Sequence, residues 1–317
     1  MKHVGVLGGS RFIGYHLAQK LIKDGYKVTL FNRGITKAPT RLNLEHVLGD
    51  RNDPKSLEAF FSKKNYDAVV DLSGYSPKHV KPILERYRDQ IGHYLFCSTS
   101  SVYRTPPPSP YDEQSPRTHE PNTYGGDKSL VEDLLLDAWE RFRFPTTVFR
   151  PQGVFGPYDA AHAGHVFLRL LNAMPILVRK DNLARINFLY VGDFVSAIGL
   201  TIEKKLTWGK TYNIACNEPV SISQFVELCA KTTGFKAKTI ALDKGAPHDL
   251  ALPWLDYDLI ARNDLIQRDL NLKYTRLEDA LRETWLWFSN DKASNKRLSR
   301  LKHKIKEMVY RPWFKRS

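Results

Sequence analysis

Tyr124-Gly125-Gly126-Asp127-Lys128 sets a phenol and an ammonium four residues apart. On a helix that spacing puts both side chains on one face. A free tyrosine titrates at about 10, too high for a base near neutrality. A neighbouring ammonium stabilises the phenolate and lowers that value. The pair can then pass a proton to or from a substrate hydroxyl or carbonyl. The expectation is a Tyr124 depressed by Lys128, although the same spacing also suits a solvated helix face. A second set of polar groups, Thr99-Ser100-Ser101, directly follows the apolar run Tyr94–Ser98. Hydroxyls at the carboxyl end of a parallel strand face the crevice where ligands bind.

A third stretch is Gly8-Gly9-Ser10-Arg11-Phe12-Ile13-Gly14, directly after the apolar run Val4–Leu7. Strand, glycine turn and helix start together bind a dinucleotide pyrophosphate. The glycines permit the tight turn, and the helix start offers N–H groups and a positive dipole end. Arg11 stands where this fingerprint has the glycine that lets backbone approach phosphate.

These residues need a scaffold, and the hydrophobic patterning supplies one. His3–Leu7, Lys27–Phe31, Glu45–Leu48, Asp67–Leu72, Tyr94–Ser98 and Thr146–Phe149 read as strands. Helices are expected from Phe12 to about Lys23, Pro54 to Lys63, Pro77 to Gln90 and Tyr124 to Arg141. Strand–helix alternation of this kind predicts an α/β protein with a Rossmann-type, doubly wound parallel sheet. Beyond Pro157 the pattern loosens into short strands and helices near Val191–Glu203, Ser223–Thr233 and Leu277–Phe288. The expected division is a dinucleotide-binding domain of residues 1–156 plus about 185–215. A smaller substrate domain would hold about 157–184 and 216–290, and a basic tail 291–317.

The chain has 317 residues, 42% of them hydrophobic, which suits a globular protein with a sizeable core. Cys97, Cys216 and Cys229 are widely spaced, fitting buried thiols better than a disulfide framework or a zinc site. No metal is expected. The first residues lead straight into a strand without a secretory pattern, and the expected location is the cytoplasm.

At this point the chain resembles the extended short-chain dehydrogenase/reductase family, also called NAD-dependent epimerase/dehydratases. The resemblance runs from residue 1 to about 289. It is carried by the glycine turn, Asp50 in Leu48-Gly49-Asp50, the strand Val69–Leu72, the hydroxyl cluster and Tyr124/Lys128. Arg150-Pro151-Gln152-Gly153-Val154-Phe155-Gly156-Pro157 and Phe188-Leu189-Tyr190-Val191-Gly192-Asp193 complete it. The resemblance implies that Tyr124 relays the proton, that Lys128 bonds the nicotinamide ribose and tunes Tyr124, and that Thr99 bonds the reacting oxygen. It places Gly8, Gly9, Ser10, Arg11, Phe12, Ile13 and Gly14 at the cofactor. Asn32, Arg33, Asp50, Arg51, Leu72, Ser73, Gly74 and Pro151 join them, with Asp50 and Arg51 near the adenine. Tyr75, Ser100, Ser101, Gln152, Gly153 and Arg185 would face substrate. It also implies a nucleotide-activated or modified sugar as substrate, and a homodimer.

The departures narrow the reading. Sugar 4,6-dehydratases of the family carry Asp-Glu after the Thr, where this chain has Ser100-Ser101, so water elimination is disfavoured and an epimerase or reductase is expected. Gly153 replaces the family's Asn, and the family's Arg before the later Phe-Leu-Tyr-Val segment is displaced to Arg185. NAD binders end the second strand with an acid that accepts from the ribose 2′-hydroxyl. Here the strand ends Phe31-Asn32-Arg33, and Arg33 with Arg11 suits a 2′-phosphate. NADP(H) is therefore preferred over NAD(H). Gly-Gly-Ser-Arg-Phe-Ile-Gly with Phe-Asn-Arg-Gly most resembles a subgroup holding bacterial epimerase-like proteins and plant chloroplast stem-loop RNA-binding proteins. RNA binding on the same fold is thus the alternative to catalysis.

The formal net charge is +14, and residues 291–317 hold ten Lys or Arg against two acids. Leu298, Leu301, Ile305 and Met308/Val309 recur there at helical spacing. A basic amphipathic helix suits an anionic membrane surface or a nucleic-acid backbone. A solubilising tail or a helix docked on the protein itself fits the same pattern.

Overall fold

The computed structural model describes residues 1–35, 44–62, 65–159, 161–180, 183–242 and 256–290. Six strands of the first half, β1 (His3–Leu7), β2 (Lys27–Asn32), β3 (Glu45–Leu48), β4 (Ala68–Asp71), β5 (Tyr94–Cys97) and β6 (Thr146–Pro151), join Lys210–Ile214 in one sheet. Its order is Lys210–Ile214, β6, β5, β4, β1, β2, β3. Every pairing is parallel, with Val4 opposite Val28 on one side and Ala68 on the other. Strands of such a sheet are covered on both faces and read as continuous apolar runs. β4, β5 and β6 are buried at every residue, whereas the edge strand β3 is largely exposed. The expected doubly wound sheet is therefore present.

Four helices link these strands: α1 (Phe12–Lys23), α2 (Pro54–Phe61), α3 (Pro77–Arg86) and α4 (Tyr124–Phe142). The apolar sides of α2, α3 and α4 share one core with β5, built from Leu57, Phe60, Val80, Ile83, Phe96, Val131 and Leu135 among others. Phe60 lies at its centre, with ring centroids 5.3 Å from Phe31, 4.9 Å from Phe61 and 4.9 Å from Tyr66. Helix α1 packs instead against Val191–Thr201. Helix α3 stops at Arg86, and a 3-10 turn at Arg88–Gln90 completes the stretch expected to be one helix.

Two compact units divide the chain. One holds Met1–Val154, Asn187–Asn217 and Leu259–Tyr274; the other holds Phe155–Ile186, Glu218–Asp258 and Thr275–Ser317. The sequence pattern puts Leu259–Tyr274 in the substrate domain, but backbone pairing ties it to the sheet unit. Tyr111 N–H donates to Ile260 O at 2.9 Å, and Arg262 N–H to Tyr111 O at 2.7 Å. No local periodicity announces such long-range pairings. In the second unit, helices His162–Leu171, Ile222–Thr233 and Leu277–Asn290 pack on one another beside the parallel pair Ile176–Arg179 and Thr239–Leu242. His162–Leu171 is not among the expected helices; its residues 163–170 are all buried, His165 and Arg169 included. The basic tail lies outside the described residues.

Replacing Phe60 with Ala removes three ring contacts from a closed core. The expected loss is about 3–5 kcal/mol in urea denaturation; a loss below about 1 kcal/mol would show that this core can collapse around the gap.

Candidate active site

The glycine turn stands at the carboxyl end of β1, beside β4, where the winding of the sheet reverses. Gly8 and Gly9 have φ of 101° and 118°, in the left-handed region glycine favours. A Cβ on Gly14 would lie 2.2 Å from the Gly9 Cα, so α1 can leave the turn only because Gly14 has no side chain. The N-cap residue of α1, Arg11, is extended, and no side chain caps the helix. This start presents N–H groups toward an anion. Phe12 opens the helix at φ 33°.

Next to the turn runs the segment after β4. A Cβ on Gly8 would lie 3.4 Å from the Leu72 Cβ and 3.6 Å from the Ser73 Cβ, which sets the two segments in contact. Arg51, expected near the adenine, has a protein partner. Its guanidinium is paired twice with the fully buried Asp71, at 2.8 Å for each bond, and is itself largely buried. A carboxylate at the end of a buried strand has to be neutralised, and Arg51 does that. Burial alone would raise the Asp71 pKa. The Arg51 charge and the hydrogen bonds from Arg51, Tyr94 and Ser73 N–H outweigh it and hold Asp71 below the usual carboxylate range. Asp50 is engaged locally, accepting from Asn52 N–H and Nδ2 at 2.9 Å each, and these bonds lower its pKa. At the end of β2, Asn32 Oδ1 accepts from Gly34 N–H at 2.9 Å and lies 3.0 Å from His46 Nε2. Asn32 Nδ2 is buried and has no hydrogen-bond partner among the described residues.

The third segment begins where β5 ends. Thr99 caps a 3-10 turn at Ser100–Val102; its Oγ1 accepts from Ser101 N–H at 3.2 Å and donates to Ser101 Oγ at 3.3 Å. Helix α4 starts directly against this turn. A Cβ on Gly125 would fall 2.0 Å from Ser101 O, and one on Gly126 1.8 Å from Glu120 O. Thr123 caps α4 through Gly126 N–H at 3.2 Å. Tyr124 thereby comes beside Thr99, whose hydroxyl lowers the phenol pKa against the larger effect of burial. The Tyr75 ring lies 6.4 Å away between centroids. Lys128, one turn on, is buried; its Nζ donates to Cys97 O at 2.6 Å and sits 4.6 Å over the Phe96 ring.

The electrostatics correct the expected depression of Tyr124. Although half of the residue meets solvent, the protein around its phenol pushes the pKa up to about 12, and the Thr99 hydroxyl offsets this only in part. Lys128 does not lower it, because its ammonium is turned to Cys97 O. Burial lowers the pKa of Lys128 itself. Glu132, four residues beyond Lys128 on the same face, is a buried carboxylate next to these residues that the spacing could have revealed. It is fully buried, accepts from Ser98 Oγ at 2.5 Å, and pairs with Arg150 at 2.6 Å and Arg117 at 2.9 Å.

Of the residues expected to face substrate, Tyr75, Ser100 and Ser101 gather near Tyr124 and Thr99. Gln152 is instead buried, donating to Leu259 O at 2.6 Å and accepting from the Tyr111 hydroxyl. Gly153 follows at φ 48°, and Pro151 ends β6. Arg185 belongs to the second unit, where it pairs with Asp258 at 3.0 Å. Both Gln152 and Arg185 are thus held by protein groups. Their side chains carry no local pattern that would have shown this.

The described fold and site define a dinucleotide-binding Rossmann protein. Residues 4–215 match the NAD dependent epimerase/dehydratase family, and the chain belongs to that family, an NAD-dependent enzyme family of the extended short-chain dehydrogenase type. Among curated relatives it is 28% identical to a probable UDP-arabinose 4-epimerase 3 of Arabidopsis thaliana, across 90% of this chain and 80% of that one. It is 27% identical to the chloroplast stem-loop binding protein of 41 kDa b of the same plant, across 74% of this chain; it spans 64% of that protein's length. Among solved structures, dTDP-glucose 4,6-dehydratase of Bacillus anthracis in complex with NAD superposes with a TM-score of 0.79. The identity is 19%, covering 94% of this chain and all of that one. UDP-glucose 4-epimerase of Bifidobacterium longum, in complex with NAD+ and UDP, gives a TM-score of 0.78 at 18% identity, covering 92% and 99%.

A carboxyl held below its unfolded value contributes stability above about pH 4 and loses it as pH falls through the folded value. Wild-type protein should therefore weaken on acidification from about pH 4 downward, and Asp71→Asn should flatten that limb. Urea midpoints at pH 3 and pH 7 test this; an equal drop in both proteins would assign the acid limb to other carboxylates.

Proposed function

We propose that this chain moves a hydride at a carbinol carbon of a nucleotide-activated sugar, as an epimerase or reductase, with Tyr124 as the proton-relaying acid and base. The observation that carries the reading is the joint placement of Tyr124, Thr99 and Lys128 at the end of β5, in the same unit as the glycine turn. The turn fits a dinucleotide: Gly8 and Gly9 take the left-handed backbone of a tight turn, Gly14 lets α1 start against Gly9, and Arg11 makes no side-chain cap to the helix start. When bound, the nicotinamide ring supplies hydride acceptance and donation. Tyr124 exchanges a proton with the substrate oxygen at its hydroxyl, and Thr99 Oγ1 holds the same oxygen. With a pKa near 12 the phenol holds its proton, so it is poised first to give one to a carbonyl oxygen. Lys128, fixed by Cys97 O, lies beneath as the group that orients the ribose. Ser100 and Ser101 offer no carboxylate for eliminating water.

The sugar-nucleotide class is supported by the similarity to UDP-arabinose 4-epimerases. RNA binding remains the second reading, favoured by the similarity to the stem-loop binding protein and by the basic residues 291–317. Tyr124→Phe separates the two. With UDP- and dTDP-sugars as substrates, turnover should fall at least about a hundredfold while dinucleotide affinity holds and any RNA affinity is unchanged. Unaltered turnover would overturn the assignment of Tyr124.

For the cofactor, NAD accompanies the structural neighbours, whereas Asn32 and Arg33 favour NADP(H). Asn32 offers an unpartnered amide donor where an NAD site offers a carboxylate acceptor. Calorimetric titration with NAD+ and NADP+ is expected to show tighter NADP+ binding, and the reverse order would sink the preference.

A further inference from the structure

Arg51 does more than neutralise Asp71. Its Nη1 donates to Ser73 Oγ at 2.8 Å as well as to Asp71 Oδ1, and its Nη2 donates to the His79 carbonyl at 2.8 Å as well as to Asp71 Oδ2. Asp71 also accepts from Tyr94 Oη at 2.6 Å and from Ser73 N–H at 2.9 Å. One planar guanidinium therefore ties three places together: the end of β4, the loop after it, and the first turn of α3. The loop folds closely around the carboxylate, since a Cβ on Gly74 would lie 2.7 Å from Asp71 Oδ2.

This arrangement fixes the polarity of Ser73. A hydroxyl has one hydrogen to give and two lone pairs. Arg51 can only donate, so the Ser73 oxygen is the acceptor in their bond, and the Ser73 hydrogen is left for another acceptor. Ser73 Oγ lies 3.7 Å from the place a Cβ on Gly8 would take. The hydroxyl thus stands against the glycine turn.

We propose that Arg51 is a positioning residue that holds Ser73 as a hydrogen-bond donor to an oxygen of the phosphate–ribose backbone of a dinucleotide at the glycine turn. The inference rests on the dinucleotide reading above. Arg51 does not touch the ligand; it acts through Ser73. A lysine at position 51 would keep the charge but could not make the same forked set of bonds.

The test is calorimetric binding of NAD+ and NADP+ to wild type, Ser73→Ala, Ser73→Thr, Arg51→Lys and the double variant Arg51→Lys/Ser73→Ala, with thermal unfolding of each. Ser73→Ala should weaken the better-bound dinucleotide about tenfold, the effect of one lost bond to a charged group. Ser73→Thr, which keeps the hydroxyl, should restore most of that affinity. Arg51→Lys should weaken binding to a similar extent, and the double variant no further, because the two residues act through one bond. Tyr94→Phe removes a bond from Asp71 without touching Ser73; it should lower the melting temperature and leave affinity unchanged. Losses that multiply in the double variant would overturn the proposal. So would full affinity in Ser73→Ala, or a Tyr94→Phe that binds as poorly as Arg51→Lys. Should Arg51→Lys fail to fold, the contrast between Ser73→Ala and Ser73→Thr still decides whether Ser73 donates. Wild-type protein that binds neither dinucleotide would instead bring down the dinucleotide reading, and this inference with it.

Discussion

The site depends on how closely α4 meets the turn after β5. With no Cβ at Gly125 or Gly126, the first turn of the helix lies directly on the carbonyls of Ser101 and Glu120. Any larger residue would push the helix start outward by more than an ångström. Tyr124 would then lose the Thr99 hydroxyl, and Lys128 its bond to Cys97 O. The same device works at the other end of the crevice, where Gly14 lets α1 rise from Gly9. In both places a side chain is dispensed with so that backbone can come close, and the groups that matter are carried on helix starts rather than on free loops. Rigid elements hold a constellation more closely than loops do.

Four buried or largely buried cations of the sheet unit are held in two ways. Arg51 faces Asp71, and Arg150 and Arg117 share Glu132. Each buried guanidinium has a carboxylate, as the cost of desolvation requires. Lys128 is held differently, by a carbonyl and the faces of Phe96 and Tyr75. These partners stabilise an ammonium less than a carboxylate would, and the Lys128 pKa falls accordingly. The cation beside Tyr124 is therefore the one whose charge is least secured among these four.

Much of this was legible in the sequence, for reasons that differ by residue. The strands β1, β4 and β5 announce themselves because burial on both faces leaves unbroken apolar runs. The helix after Thr123 shows its period over five turns. Tyr124, Lys128 and Thr99 could be placed because each sits at a fixed offset from an element boundary. The protein partners of Arg51 and Gln152 could not be read: each is polar at a position that suggests a ligand, and each is bonded to groups far away in the chain. Asp71 gave a signal that went unused, since a carboxylate inside Ala-Val-Val-Asp demands a cation. Leu259–Tyr274 joins the sheet unit through hydrogen bonds to Tyr111, Gln152 and Ala215, which leave no trace in local composition.

The expectation about Tyr124 failed for a physical reason that bears on the chemistry. Spacing on a helix fixes which residues share a face, but not where a flexible ammonium points. Here the strand carbonyl of Cys97 captures it. Burial then acts on both members of the pair in the same sense, toward the uncharged form: the phenol keeps its proton and the amine holds its own less tightly. The phenol starts as a proton donor, and among the described residues no ion pair with a carboxylate fixes the ammonium. A carboxylate partner for Lys128 would fix the ammonium, and would raise Tyr124 further. The end of β5 thus supplies Lys128 a carbonyl where the other buried cations described in this unit have an acid.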